Sequence, residues 1–273
     1  LEARNREVTE ALERQTATAE VLKVIASSPD DVQPVLDAIA QSAATLFEPC
    51  AVTITMVEGG MIHRRAPSRP ADPRTQAIGS VYPLPLDLEG APSARAILEA
   101  RIIEIPDIEA PGVPEVTRRA GRGGEFRSGT FVPLIRGGKG IGTIILTHET
   151  PGFRLQEKQL ELVRSFADQA VIAIENVRLF NETKEALERQ TATAEILKVI
   201  SESPTDVQPV FDAIAQSGLK LFPGALVSVA LRYGDKINAA AVAAPDPAHV
   251  EAWRRTISST PLARNYMHGA ALL

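Results

Sequence analysis

Residues 10–42 read EALERQTATAEVLKVIASSPDDVQPVLDAIAQS, and residues 185–217 read EALERQTATAEILKVISESPTDVQPVFDAIAQS. About five in six positions match at a constant offset, which marks a duplicated unit. The exchanges respect packing: Val21 becomes Ile196 and Leu36 becomes Phe211, while Ala26, Ser27 and Asp30 change where a helix ends. Each copy reads as a charged helix, a break at Ser28-Pro29 or Ser203-Pro204, and a second helix opening on Asp-Val-Gln-Pro. In the first charged helix Val8, Leu12, Gln15, Ala19, Leu22 and Ala26 alternate steps of four and three, the seam of a two-stranded coiled coil. Gln15 and Ala19 make that seam weak, so its register shifts at modest cost; the alternative is a solvated linker helix packed on its own domain.

Work outward from the repeat and a sheet comes into view. Val32, Val35, Leu36, Ile39, Ala40, Ala43 and Leu46 trace one helical face. Residues 51–57 then alternate Val52, Ile54 and Met56 against Ala51, Thr53 and Thr55, and Glu58-Gly59-Gly60 turns the chain into residues 61–66 as a hairpin. Residues 67–87 are proline-rich, with a short strand expected at 81–84. A short helix is expected at 93–100 with Ser93 as its N-cap, then a strand at 102–105, a loop-rich stretch holding a short helix at 115–120, and a second hairpin, 128–135 with 141–147. Pro133 predicts an edge or a bulge. Residues 156–180 form a helix, and the absence of Gly and Pro from 176 to 201 carries it into the second linker, about 45 residues in all. A phase slip is expected where Leu179, Thr183 and Leu187 follow one another in steps of four.

Composition narrows the function classes. The 273 residues carry a formal charge of −5 without a Lys/Arg block, which argues against nucleic-acid binding. A single cysteine, Cys50, excludes a disulfide framework and fits a reducing, cytoplasmic compartment. No apolar run approaches the roughly 20 residues of a membrane span. Leu1 in place of Met points to a fragment. The repeat offset places residues 271–273 opposite 96–98, so the second copy is expected to be partial.

The helix, hairpin, loop-rich middle, the run Arg-Ile-Ile-Glu-Ile-Pro-Asp at 101–107, final hairpin and long exit helix resemble a GAF domain. The likeness is most specific at FVPLIRGGKGIGTIIL (131–146) and GFRLQEKQLELVRSFADQAVIAIENVRLF (152–180). It is similar to the GAF modules of bacterial sensor histidine kinases, in which ALERQTATAE linkers join successive copies. The resemblance implies an α+β fold: a GAF-like antiparallel sheet of about six strands with flanking helices, a ligand pocket on one face, a long linker helix, and a truncated second GAF-like copy. The expected boundaries are a linker at 1–28, a first GAF domain at 29–180, a linker at 181–203, and a partial second domain at 204–273. It further implies a homodimer coupled through parallel helices to an output domain. Arg154 stands where the family often has Ser or Thr before the exit helix, which removes an expected cap.

No catalytic constellation is visible. His63, His148, His249 and His268 lack partners at ligand spacing, so neither a metal nor a cofactor is expected. A phospho-acceptor histidine on a dimer helix and a Gly-rich ATP domain do not occur in these residues. Gly137-Gly138-Lys139-Gly140 is a hairpin turn rather than a phosphate loop, and Cys50 is a small buried hydrophobe rather than a reactive thiol. For a small-molecule pocket the candidates are Tyr82, Asp107, Phe126, Arg127, Ser128, Thr130 and Val132. Arg127 would fork a carboxylate or phosphate and Asp107 would accept from a base or amine; alternatively, Asp107 caps a turn and Arg127 pairs with a surface acid. The expected role is a sensory segment of a two-component histidine kinase. The alternatives are the sensor segment of a nucleotide cyclase or other output enzyme, and an interaction scaffold without a ligand.

Overall fold

Two alternating strands set the two faces of the sheet. In β1 (Ala51–Glu58), Val52 and Ile54 face one way and Thr53 and Thr55 the other; in β6 (Lys139–His148), Ile144 and Leu146 oppose Thr143, Ile145 and Thr147. The two strands pair antiparallel, Ile54 opposite Ile144 and Thr55 opposite Thr143, with the two threonine hydroxyls hydrogen-bonded at 2.7 Å. The structure is a computed structural model that describes residues 30–258 except Pro204 and Asp235, together with Lys23, Val24, Ser27 and Ser28. Apart from those four residues, the linker expected at 1–28 lies outside the described residues, as do His268 and the end of the second copy at 259–273.

The chain divides into two compact units, the first ending at Asn181 and the second starting at Glu182. In the first, α1 (Gln33–Leu46) precedes β1 and β2 (Met61–Pro67), followed by α2 (Pro73–Gly79), β3 (Leu84–Pro85), α3 (Pro92–Glu99), β4 (Ile103–Ile105), α4 (Glu115–Gly124), β5 (Ser128–Arg136), β6 and the first part of the long helix α5 (Glu157–Glu202), whose remainder belongs to the second. The six strands form one antiparallel sheet in the order β3-β2-β1-β6-β5-β4. Its hairpin turns use Gly59-Gly60 and Gly137-Gly138, all at positive φ, as tight hairpin turns require. One sheet face, Val52, Ile54, Val132, Leu134, Ile144 and Leu146, is covered by Leu36 and Ile39 of α1 and by Val163, Phe166 and Ala170 of α5. Each fully buried large side chain there contributes about 1.5–3 kcal/mol. The opposite face carries α3 and the smaller helices.

Four local features differ from the sequence expectation. α2 lies in the stretch read as irregular: Asp72 Oδ1 accepts the Arg74 N–H at 2.9 Å, and Pro73 opens the helix. α3 begins at Pro92 with Ala91 at the N-cap position, so Ser93 lies inside the helix and caps nothing. α4 continues past Ala120 through three glycines, and the bare backbone of Gly123 lets it lie on α2, where an added Cβ would come within 3.1 Å of Ala77 Cβ. The exit helix finds a substitute for the missing cap: the Gln156 N–H donates to Oε1 of Gln159 at 2.9 Å, the back-reaching half of a capping box. Pro133 sits on β5 opposite Thr143 of β6, beyond the reach of the short β4 and next to a bulge between Leu134 and Ile135.

α5 is continuous through Phe180 for 46 residues. In the second unit its end is followed by α6 (Gln208–Leu221), β7 (Val227–Tyr233), β8 (Lys236–Ala243) and α7 (Pro247–Ser258). β7 and β8 form an antiparallel pair whose only described irregularity falls between Val229 and Ala230.

Candidate ligand chamber

The threonine face of the sheet does not meet α1 or α5. Thr53, Thr147, Ile145 and Phe131 floor a cavity of about 40 Å³ instead. Its roof comes from α2 and the β3 approach (Ile78, Val81, Tyr82), the start of α3 (Pro92, Ser93) and one face of α4 (Val116, Thr117, Ala120), with Phe126 closing the side. No lining residue is charged. Burial pushes the Tyr82 phenol well above its ordinary value, with Arg64 opposing the shift weakly. The phenol therefore stays neutral at any physiological pH.

Charge is confined to the rim. Arg74 Nη1 on α2 reaches Glu149 at 2.6 Å, just beyond β6, and Glu125 at 3.4 Å, just beyond α4. Arg122 on α4 binds Glu109 at 3.1 Å and Glu115 at 3.4 Å. These exposed pairs are individually weak, but they link the lid helices to the sheet and to each other.

The seven expected pocket residues separate. Tyr82 and Phe126 line the chamber. Asp107 and Arg127 pair with each other outside it: Nη2 of Arg127 donates to Oδ1 at 3.0 Å and to Oδ2 at 3.1 Å. Asp107 Oδ1 also accepts the Glu109 N–H at 3.0 Å, and that bond first, then Arg127, holds its carboxyl below the usual range. The turn cap and the ion pair are thus one arrangement, and Asp107 borders a separate open hollow near Arg95 and Val113. Ser128 is buried and donates to the Thr150 carbonyl at 2.9 Å. Thr130 and Val132 share the strand parity that faces α1 and α5, and Val132 belongs to that core. The residue between them, Phe131, is the one that β5 turns to the chamber. Ser93, Thr117, Thr53 and Thr147 were not expected there; the alternation of threonine with aliphatic residues on β1 and β6 was the available signal.

Other reactive side chains have structural partners. Cys50 is buried, which pushes its thiol up to about 11 and leaves it protonated. His148 Nδ1 accepts the Thr150 N–H at 2.9 Å, and its ring stacks on Phe153 at 3.9 Å. Among the described residues, no cluster of three His, Cys, Asp or Glu side chains could hold a metal ion, and no helix is long and apolar enough to cross a membrane.

Comparison with known proteins places this architecture. No curated protein matches the chain. Among solved structures, a methyl-accepting chemotaxis protein fragment is 23% identical, covering 60% of this chain and 97% of its own, with a TM-score of 0.47. A domain of a putative two-component sensor histidine kinase from Sinorhizobium meliloti 1021 is 14% identical over 56% of this chain and 97% of its own, TM-score 0.47. The GAF domain of an Acinetobacter phosphoenolpyruvate-protein phosphotransferase is 11% identical over 64% of this chain and 98% of its own, TM-score 0.49. The GAF domain family model matches residues 31–174, more than half of the sequence and the whole six-stranded sheet, and the chain belongs to that family.

Proposed function

We propose that this chain is the sensory segment of a cytoplasmic two-component histidine kinase, with tandem GAF copies at 29–180 and 204–273 joined by linker helices and acting as a homodimer. The observation that carries this reading is the apolar surface of α5. Leu187 and Leu197 are 61% and 59% exposed, and Ile172 and Leu179 are also outward. Leu187, Gln190, Ala194, Leu197 and Ser201 keep alternate steps of three and four, the same seam as Leu12 to Ala26 in the first linker. Large apolar side chains in a heptad pattern on a long helix are covered most simply by the same helix of a second chain. Gln190 and Ala194 weaken the zipper, so a change of packing in the chamber needs only a small differential free energy to bias its register.

Cysteines at Leu187 and Leu197, one at a time, test the dimer. Each is expected to form a same-residue interchain disulfide on mild oxidation, and failure at both positions removes the parallel helix pair and the relay with it. A second reading, a ligand-free interaction scaffold, draws on the small chamber and on Arg127 being occupied by Asp107. On that reading the cross-linking pattern is indifferent to substitutions that enlarge the chamber, such as Phe126→Ala. On the sensory reading the ratio of the two disulfides changes.

A further inference from the structure

Two hydroxyls that border the chamber are out of reach from inside it. Ser93 and Thr117 line the cavity, yet each side-chain oxygen is itself fully buried and has no hydrogen-bond partner among the described residues. Thr147 turns its hydroxyl to the Ala51 carbonyl at 3.5 Å. Only Thr53 and Tyr82 remain to offer a hydroxyl to a guest, and the other ten of the fifteen lining residues are hydrocarbon. Arg64, whose charge acts on Tyr82, does not line the cavity. Its guanidinium lies against Gly79 of α2 and donates to the Thr75 carbonyl at 2.7 Å.

Such a surface selects its guest. A volume of about 40 Å³ exceeds the roughly 10–15 Å³ that one water requires, but a buried water also needs about two to four polar partners, and this wall supplies few. A polar or charged solute would exchange its hydration for hydrocarbon at a cost. An apolar one gives up no hydrogen bond and gains dispersion contacts. Those contacts come from every side: Ile78 of α2, Pro92 of α3 and Val116 of α4 in the roof, Phe131 and Ile145 in the floor. Ile78 has no slack behind it. A Cβ added to Gly124 of α4 would come within 2.5 Å of Ile78 Cδ1, so α2 and α4 meet through that side chain, and a guest that presses on it presses on both helices.

We infer that the chamber binds a small apolar molecule, a hydrocarbon or gas of a few heavy atoms, held by dispersion between the lid helices and the sheet. The inference rests on the chamber being the sensory site and adds the class of its ligand. Xenon and propane, set against acetamide and acetate, provide the test by methyl chemical-shift titration of the whole chain. The two apolar probes are expected to shift the methyls of Ile78, Val81, Val116 and Ile145 in a saturable way, and the two polar ones to bind at least about tenfold more weakly. Acetamide or acetate binding as tightly as propane overturns the apolar class and leaves the chamber as the sensory site. Ala120→Leu fills the cavity and is expected to abolish the propane shifts; undiminished binding overturns the location. Should that variant fail to fold, Phe126→Ala enlarges the cavity and is expected to bind benzene at least about tenfold more tightly than the unaltered chain, and no gain there overturns the location equally. Saturable binding that leaves the ratio of the disulfides at positions 187 and 197 unchanged upholds the apolar site and removes its sensory role. If none of the four probes moves those methyls, the chamber is closed to solutes and the sensory reading falls with the inference.

Discussion

The helix and hairpin at 33–67 and those at 208–242 are held by the same bonds, and yet the first is the more deeply buried. Gln33 Nε2 donates to Asp37 Oδ1 at 2.9 Å and to the Arg65 carbonyl at 3.0 Å; Gln208 Nε2 donates to Asp212 Oδ1 at 3.2 Å and to the Ala240 carbonyl at 2.7 Å. Each partner lies 175 positions beyond its counterpart (208 less 33). The same shift carries Phe47 N–H to Ala43 O onto Phe222 N–H to Gly218 O, and the irregularity between Ile54 and Thr55 onto that between Val229 and Ala230. Burial follows only in part: Ile62 and Ile237, like Ala66 and Ala241, are equally buried, but the first strands differ. Val52 and Ile54 are fully buried, whereas Val227 and Val229 are only partly so. β1 is flanked by β2 and β6, and β7 pairs with β8 alone among the described residues. Register, cap and bulge are therefore written in the local chain, while depth is conferred by strands far away in sequence.

The largest test of that division lies in the helix core. Leu36 is fully buried and its counterpart Phe211 is half-buried. Leu36→Ala is expected to cost the first unit about 2–5 kcal/mol. Phe211→Ala should cost the second less than half as much despite the larger side chain. Hydrogen exchange reports each unit separately, and equal losses would mean that depth does not separate the copies.

A smaller effect sharpens the comparison where the copies differ in sequence. Ala43 and Val52 belong to the first core, and the corresponding residues in the second are Gly218 and Val227. If α6 sat on its strand as α1 does, Gly218→Ala would stabilise by about 0.5–1 kcal/mol through helix propensity. An added Cβ there would meet Val227 Cγ1 at 2.7 Å, and a β-branched side chain cannot easily swing away. The substitution is expected to destabilise the second unit by about 1 kcal/mol, the lower range of an overpacked core, as read from its denaturation midpoint. A gain instead would show that the two helix–strand interfaces have the same spacing.

The same split between local and distant determinants explains what could be read from the sequence. Gly59-Gly60 and Gly137-Gly138 announced both hairpins, and the uninterrupted run from 176 to 201 announced the continuous α5, because turns and helix continuity are local properties. α2 was missed although Asp72-Pro73 is a helix start in miniature, since the surrounding prolines masked its short period. Thr130 and Val132 were expected at the pocket because β5 offers no alternation to read. From Ser128 to Leu134 every residue is buried, so both faces of the strand look alike in sequence, and only its neighbours decide which face meets the helices. β1 and β6 do alternate, and their threonines mark the chamber side. Asp107 and Arg127, 20 positions apart, meet because Ile105 pairs with Gly129 at the sheet edge, a register that no local signal fixes.

The finest test addresses the glutamine that begins each second helix. Gln33 is partly buried and Gln208 is exposed, yet each links its helix start to a carbonyl of the second hairpin strand. A net hydrogen bond contributes about 0.5–1.5 kcal/mol, and it is worth more where the donor side chain is better shielded from water. Gln33→Ala is therefore expected to cost about 1 kcal/mol and Gln208→Ala about half that or less, measured by chemical denaturation with probes in each unit. Identical costs would mean that Gln208 is as well shielded as Gln33. That result would require the second hairpin to be covered in solution by something other than its own described neighbours, and the contrast in burial would then belong to the isolated chain rather than to the two sequences.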